Sequence, residues 1–249
     1  AVDARVAGDR RAAGAVERGE ETKTELDGIL TDIESYLVRR MICGMTTKSY
    51  NRIFLKMLID LRNGPPVTRA LVREHLLNLT GLSSEWPSDK FLRERWLTTP
   101  VYKTLRQARV VMVLEAIEWA QYTNKQEHQR PASTTAYSIE HIMPQSTNET
   151  DWPLHMPSGA DDALRITVAT ARETLKHTFG NLTLITQALN VALSNGRFST
   201  KRTAMENNSL LMLNRYFQRN HIAEWDEAAI RKRGEWLFEE AIKIWPRPA

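Results

Sequence analysis

The sequence predicts a mainly α-helical protein with one short strand–strand–helix unit set among the helices. Three observations carry that prediction. Apolar residues recur at helical spacing over residues 24–122, which argues for amphipathic helices packed as an N-terminal bundle. Two short strand-like runs, 138–142 and 181–186, follow a change in composition near residue 125. The second run passes directly into a helical stretch over 187–195, which Gly196 stops. The domain plan read from these is a flexible lead-in over 1–23, a helical domain over 24–125, and a second domain over 126–249. In that second domain the strand–strand–helix unit is embedded in further helices.

The elements follow in order. The first helix spans about 24–41, with Leu26, Leu30, Ile33, Leu37 and Met41 on one face. Thr46 or Thr47 caps a second helix that carries Tyr50, Ile53, Phe54, Met57, Leu58 and Leu61, and Asn63-Gly64-Pro65-Pro66 stops it. Thr68 caps a third, short helix through Leu77 that ends near Gly81, and Ser88 precedes a fourth over 89–96. Pro100 opens a long fifth helix to about Tyr122, with Leu105, Val110, Val113, Leu114 and Ile117 inward. Residues 123–135 read as a polar linker. Pro144 ends the first strand, residues 146–160 read as loop, and Ser158 caps a helix over 161–176. Ser199 starts a helix to about Arg219, and Trp225-Asp226 opens the last, which runs to Trp245.

The chain has 249 residues, enough for one large or two modest domains. Mean hydropathy is −0.43, and no apolar run approaches the roughly 18 residues that span a bilayer. The first two dozen residues are polar and lack the apolar core of a signal peptide. Cys43 is the single cysteine, which excludes a disulfide framework or a cysteine-based zinc site within one chain. A reducing cytoplasmic location is expected. The net charge of +4 is compatible with a nucleic-acid partner. Residues 137–177 hold 3 basic and 6 acidic groups, an acidic island between basic flanks that suits a cation site beside a phosphate-binding surface. The Ala/Gly/Arg/Glu-rich start, without an initial Met, reads as a fragment of a longer protein.

Chemistry concentrates at Glu140-His141, at the end of the first strand, and at Asn181 and Asn190, nine positions apart across a strand-to-helix change. The imidazole of His141 titrates near neutral pH and is the candidate general base. Asn181 is placed to pin the loop that follows His141. Glu140 and Asn190 offer a hard carboxylate and a hard amide oxygen, a donor pair that favours Mg²⁺ or Mn²⁺ over Zn²⁺. Neighbours on a regular strand point to opposite faces, so Glu140 and His141 serve one site only if the strand ends or bulges before Pro144. His177 flanks the site or has a packing role. Lys201 either meets phosphate or is a solvated first-turn lysine. Arg39-Arg40 and Arg231-Lys232-Arg233 read as solvated helix faces, with contact to DNA backbone as the alternative.

Glu140-His141-Ile142-Met143-Pro144-Gln145, with Gly180-Asn181-Leu182-Thr183-Leu184 and Asn190, resembles the HNH or ββα-metal nucleases. It is more specifically similar to the C-terminal nuclease domain of modification-dependent restriction proteins of the GmrSD and phosphorothioate-sensing SspE-like kind. The likeness extends to Phe198, Lys201 and the Trp225…Ile230-Arg231…Ile244-Trp245 pattern, and Tyr36-Leu37-Val38-Arg39-Arg40 with Phe54 is similar to the helical region before that domain. The resemblance implies a ββα-metal finger and a metal-dependent DNA endonuclease, nicking or double-strand cutting, in anti-phage restriction. It implies His141 as base, Glu140 and Asn190 as metal ligands, Asn181 as orienting residue, and Lys201 and His177 near substrate. It also implies a separate amino-terminal domain that hydrolyses nucleotide and senses the modification. The chain departs from the pattern with Asn at the third motif position and a long insertion between His141 and Asn181. Two other readings stand beside this one: a non-catalytic helical DNA- or partner-binding module on a relic of the fold, and an RNase toxin on the same scaffold.

Overall fold

In a computed structural model of the chain, the structure describes residues 2–62, 67–123, 137–193 and 196–248, with side chains from residue 22 onward except at 62 and 191–193. The expected stop at Asn63–Pro66, most of the polar stretch over 123–135 and the expected helix end at Asn195 lie outside the described residues. Two compact units emerge, one of residues 1–88 with 245–249 and one of residues 89–244. The division therefore falls after Ser88, whereas the composition change placed it near residue 125.

The first unit holds α1 (Val2–Ile42), α2 (Tyr50–Arg62) and α3 (Arg69–Leu77). α1 takes in the lead-in expected to be flexible, a stretch whose alanines, arginines and glutamates are strong helix formers. Thr68 caps α3 as its sequence position suggests, its hydroxyl accepting from Leu71 N at 3.3 Å. Tyr36, Met57, Val72, Leu76 and Trp86 form the core. Arg39 and Arg40 lie inside this unit, which corrects both sequence readings of the pair. Arg39 donates to the carbonyls of Trp245 and Pro87, and Arg40 to those of Glu85, Thr46 and Ser83. A guanidinium presents five donors in a fixed fork, so it satisfies several loop carbonyls that turn inward without a helix or sheet partner.

The second unit begins with α4 (Asp89–Thr98), α5 (Val101–Thr104) and α6 (Gln107–Ala120), then β1 (Tyr137–His141) and α7 (Asp162–Leu175). A 3-10 turn (Phe179–Asn181), β2 (Leu182–Thr186), α8 (Gln187–Leu193), α9 (Phe198–Asn208), α10 (Met212–Arg219) and α11 (Glu227–Ile244) complete it. The long fifth helix expected from Pro100 is broken in two. Leu105 and Arg106 are extended, which turns the short α5 toward the hairpin and lets Tyr102 N donate to His177 O at 3.1 Å. The single helix expected from Ser199 to Arg219 is likewise two, interrupted where Ser209 is extended after Asn207-Asn208. These short polar residues compete with helical hydrogen bonding. The cap of α7 is Asp161, not Ser158, and Gly159 between them adopts a φ of +79°.

β1 and β2 pair antiparallel in regular register, from Tyr137 opposite Thr186 to His141 opposite Leu182. Their support comes from buried polar groups as well as apolar packing. Glu118 on α6 accepts from Met212 N and Leu213 N, both at 2.9 Å, and so caps α10 from another helix. Asn214 on α10 accepts from the Thr183 hydroxyl at 2.6 Å and donates to Leu184 O at 2.9 Å, which holds β2 in place. α11 backs the 3-10 turn. A Cβ at Gly180 would lie 2.2 Å from Ile230 O, so glycine alone permits that approach. Arg233, fully buried, donates to the carbonyls of Gly180 and Leu182 and lies over the rings of Tyr216 and Phe217. Burial lowers its pKa to about 10. Arg233 is thus interior, while Arg231 and Lys232 are exposed.

Candidate active site

Asn181 anchors the site. It ends the 3-10 turn, is fully buried, and uses both ends of its amide. Its Oδ1 accepts from Met143 N at 2.8 Å and from Trp225 Nε1 at 2.9 Å. Its Nδ2 donates to Met143 O at 2.9 Å and to Lys176 O at 2.8 Å. Its backbone carbonyl accepts from Ile142 N at 3.0 Å, extending the strand pairing one step beyond His141. The segment after His141 is therefore clamped on both sides of Met143, and the end of β1 is held with it.

The register runs through Glu140 and His141 without a bulge, and β1 ends at His141. The two side chains have different partners. Glu140 Oε1 accepts from Lys201 Nζ at 2.5 Å, and the same ammonium donates to His141 O at 2.7 Å. Lys201 lies on α9 and is 1% exposed. Burial lowers its pKa, with the Glu140 carboxylate acting in the opposite direction. Lys201 thus faces Glu140 and the strand end instead of solvent, which corrects the solvated first-turn reading from sequence.

His141 packs on the other side. Its Nε2 lies 3.2 Å from His177 Nδ1, and the ring of Tyr102 meets it edge-on at 4.4 Å between centroids. Tyr102 stacks on His177 at 5.8 Å and 17°. His141 and His177 are both buried. Burial, followed by the nearby charges of His177, Lys201, Lys176 and Lys103, pushes the His141 pKa down to about 3. Burial likewise lowers that of His177, followed by the charges of Lys103 and Lys176. A base must be neutral to accept a proton, and this environment keeps the imidazole neutral. His177 meets His141 and Tyr102 in the interior.

Asn190 lies on α8, which packs against both strands, and is half-buried. Its amide has no hydrogen-bond partner among the described residues. Also among the described residues, no three His, Cys, Asp or Glu side chains gather in a cluster. A cavity of about 290 Å³ beside Met143 is lined by Trp152, Arg172, Phe198 and Trp225. None of Glu140, His141, Asn181 or Asn190 lines it.

This ordering of parts, an acid–histidine pair ending one strand, a clamping asparagine before the next, and a helix carrying Asn190, coincides with a family match. Residues 86–240 match the family described as GmrSD restriction endonucleases, C-terminal domain. The chain belongs to that family. No curated protein matches it. The matched span begins close to the division between the two units and covers the hairpin and most of α11. Within this GmrSD C-terminal domain, sequence reasoning missed Tyr102 and Lys176. Neither carries a local signal: Tyr102 reaches the site because the helix breaks at Leu105, and Lys176 because α7 ends beside the loop. Lys176 Nζ donates to Gln145 O at 2.6 Å and fastens the far end of the segment that Asn181 clamps. No helix among the described residues is long and apolar enough to cross a membrane.

Proposed function

We propose that the unit over residues 89–244 is a ββα-metal endonuclease domain that hydrolyses DNA phosphodiesters in a modification-dependent restriction protein. The observation that carries this reading is the four-bond clamp of Asn181 on the segment leaving His141. It fixes a buried neutral histidine and its neighbouring carboxylate at the end of β1. That amount of buried polar structure serves a site whose geometry must be held to within a fraction of an ångström.

In this reading His141 accepts the proton of a water whose oxygen attacks phosphorus, and the bond to the 3′ oxygen breaks. Asn181 holds His141 through the backbone of Met143 and touches no substrate. Lys201 orients the Glu140 carboxylate and neutralises part of its charge. The donor set of one carboxylate, Glu140, and one half-exposed amide, Asn190, fits a hard divalent cation that keeps most of its shell as water and phosphate oxygen. When bound, Mg²⁺ or Mn²⁺ supplies charge neutralisation at the phosphate and at the leaving oxygen. Sensing of the DNA modification and nucleotide hydrolysis are assigned to a separate domain.

The test is nicking of supercoiled plasmid with Mg²⁺ or Mn²⁺, with and without EDTA, by the wild type and His141→Ala. Cleavage that EDTA abolishes and His141→Ala loses, with DNA binding retained, supports the assignment. Unchanged cleavage by His141→Ala sinks it. The pairing of Lys201 with Glu140 favours the second reading, a non-catalytic relic whose cation site has been taken by an ammonium. Calorimetric titration with Mn²⁺ separates the two: no specific binding together with uncut plasmid supports the relic.

A further inference from the structure

We infer that His177 is a positioning residue that fixes the tautomer of His141, accepting a hydrogen bond from His141 Nε2–H on its own Nδ1 so that the lone pair of His141 lies on Nδ1. This inference rests on the endonuclease reading in assigning His141 the part of base, while the tautomer itself is a property of the folded protein.

The argument starts from the contact. His141 Nε2 and His177 Nδ1 are 3.2 Å apart. Two ring nitrogens at that distance form a hydrogen bond when one carries a proton and the other a lone pair. Both rings are almost completely buried, at 5% and 2% exposure. One proton therefore lies between the two rings, and two arrangements exist. If His177 donates, His141 carries its own proton on Nδ1 and both its nitrogens are spent. If His141 donates, its Nδ1 is bare, and His177 carries its second hydrogen on Nε2. The second arrangement alone leaves His141 able to take a proton from water.

The surroundings hold His177 still. Its backbone carbonyl accepts from Tyr102 N at 3.1 Å, and its own N–H donates to Thr174 O at 3.1 Å. Tyr102 stacks on the ring while also abutting His141 edge-on, so one aromatic side chain sets both planes. A hydrogen-bond partner at the second nitrogen is the usual device by which proteins choose an imidazole tautomer, and a carbonyl or carboxylate commonly serves. Here an imidazole serves. Among the described residues no hydrogen bond joins a carboxylate to either ring, although the charge of Glu173 acts on His177.

The inference is tested on the full chain in two ways. In ¹⁵N-histidine-labelled wild type, long-range ¹H–¹⁵N correlation is expected to show His141 as the Nε2–H tautomer with an unprotonated Nδ1. In His177→Leu the same signals should shift toward a mixture. In His177→Asn, whose side-chain oxygen can occupy the position of Nδ1, the wild-type tautomer should persist. An Nδ1–H tautomer for His141 in the wild type, or the same tautomer in His177→Leu, overturns the inference whether or not the protein cuts DNA. In plasmid nicking, His177→Leu should lose kcat by about tenfold or more with KM unchanged, and His177→Asn should recover most of that loss. Equal kcat for His177→Leu and wild type also overturns it. Loss of cleavage in every protein, with the tautomer as expected, counts against the endonuclease reading and leaves the positioning intact.

Discussion

Replacing Asn181 with alanine removes more buried hydrogen bonds than any other single truncation at the site. Four are lost: from Met143 N and Trp225 Nε1, and to Met143 O and Lys176 O, at 2.8–2.9 Å. A net contribution of about 1 kcal/mol each gives a loss of at least about 4 kcal/mol, and more wherever water does not reach an orphaned buried partner. Against a total stability of about 5–15 kcal/mol, that is a large fraction. Asn148→Ala is the control, since Asn148 makes two side-chain hydrogen bonds to Asp151 on the exposed loop and should cost less than about 1 kcal/mol. The assay is urea denaturation followed by tryptophan fluorescence, with Trp225 a direct reporter because its indole N–H loses its acceptor. Nicking should fall with stability even well below the unfolding midpoint, because the segment after His141 is no longer clamped. An Asn181→Ala protein within 1 kcal/mol of wild type, or no worse than Asn148→Ala, would refute the reasoning that these bonds hold the site.

Three further outcomes are expected. Gly180→Ala places a Cβ against Ile230 O at 2.2 Å and should force the 3-10 turn away from α11, at a cost of about 2–3 kcal/mol, read as a lower midpoint in thermal denaturation; an unchanged midpoint would show that the turn moves freely. His141 has a folded pKa of about 3, below its unfolded value of 6.5, so its contribution to stability is present above pH 6.5 and is lost as the pH falls toward 3. The expected slope is about 1.4 kcal/mol per pH unit for this group, and His141→Gln should flatten the wild-type urea profile over that window; parallel profiles would contradict it. Glu118→Gln keeps one acceptor for α10 but turns an amide N–H toward the other backbone donor, and should cost about 1–3 kcal/mol by the same urea measurement.

Local signals carried much of this protein. Periodic apolar residues located the C-terminal half of α1 together with α2 and α3, with Thr68 as the cap of α3, and the strand-like runs located β1 and β2. At the candidate site the expectation that Asn181 pins the segment after His141 matches its hydrogen bonds to Met143, while the roles read for Glu140, His141 and Asn190 rest on the proposed function. What the sequence could not settle is which polar groups face inward. Arg39, Arg40, Arg233 and Lys201 look like surface charges in one dimension, yet each is buried because unpaired carbonyls or a carboxylate from distant segments meet it. The break at Leu105 carried no comparable local signal, since helical periodicity continues through it, whereas the break at Ser209 follows two asparagines that disfavour the helix. The pairing of His141 with His177, and the ring of Tyr102 laid across both, joins three segments far apart in the chain. No spacing rule encodes such a meeting, because tertiary packing decides it.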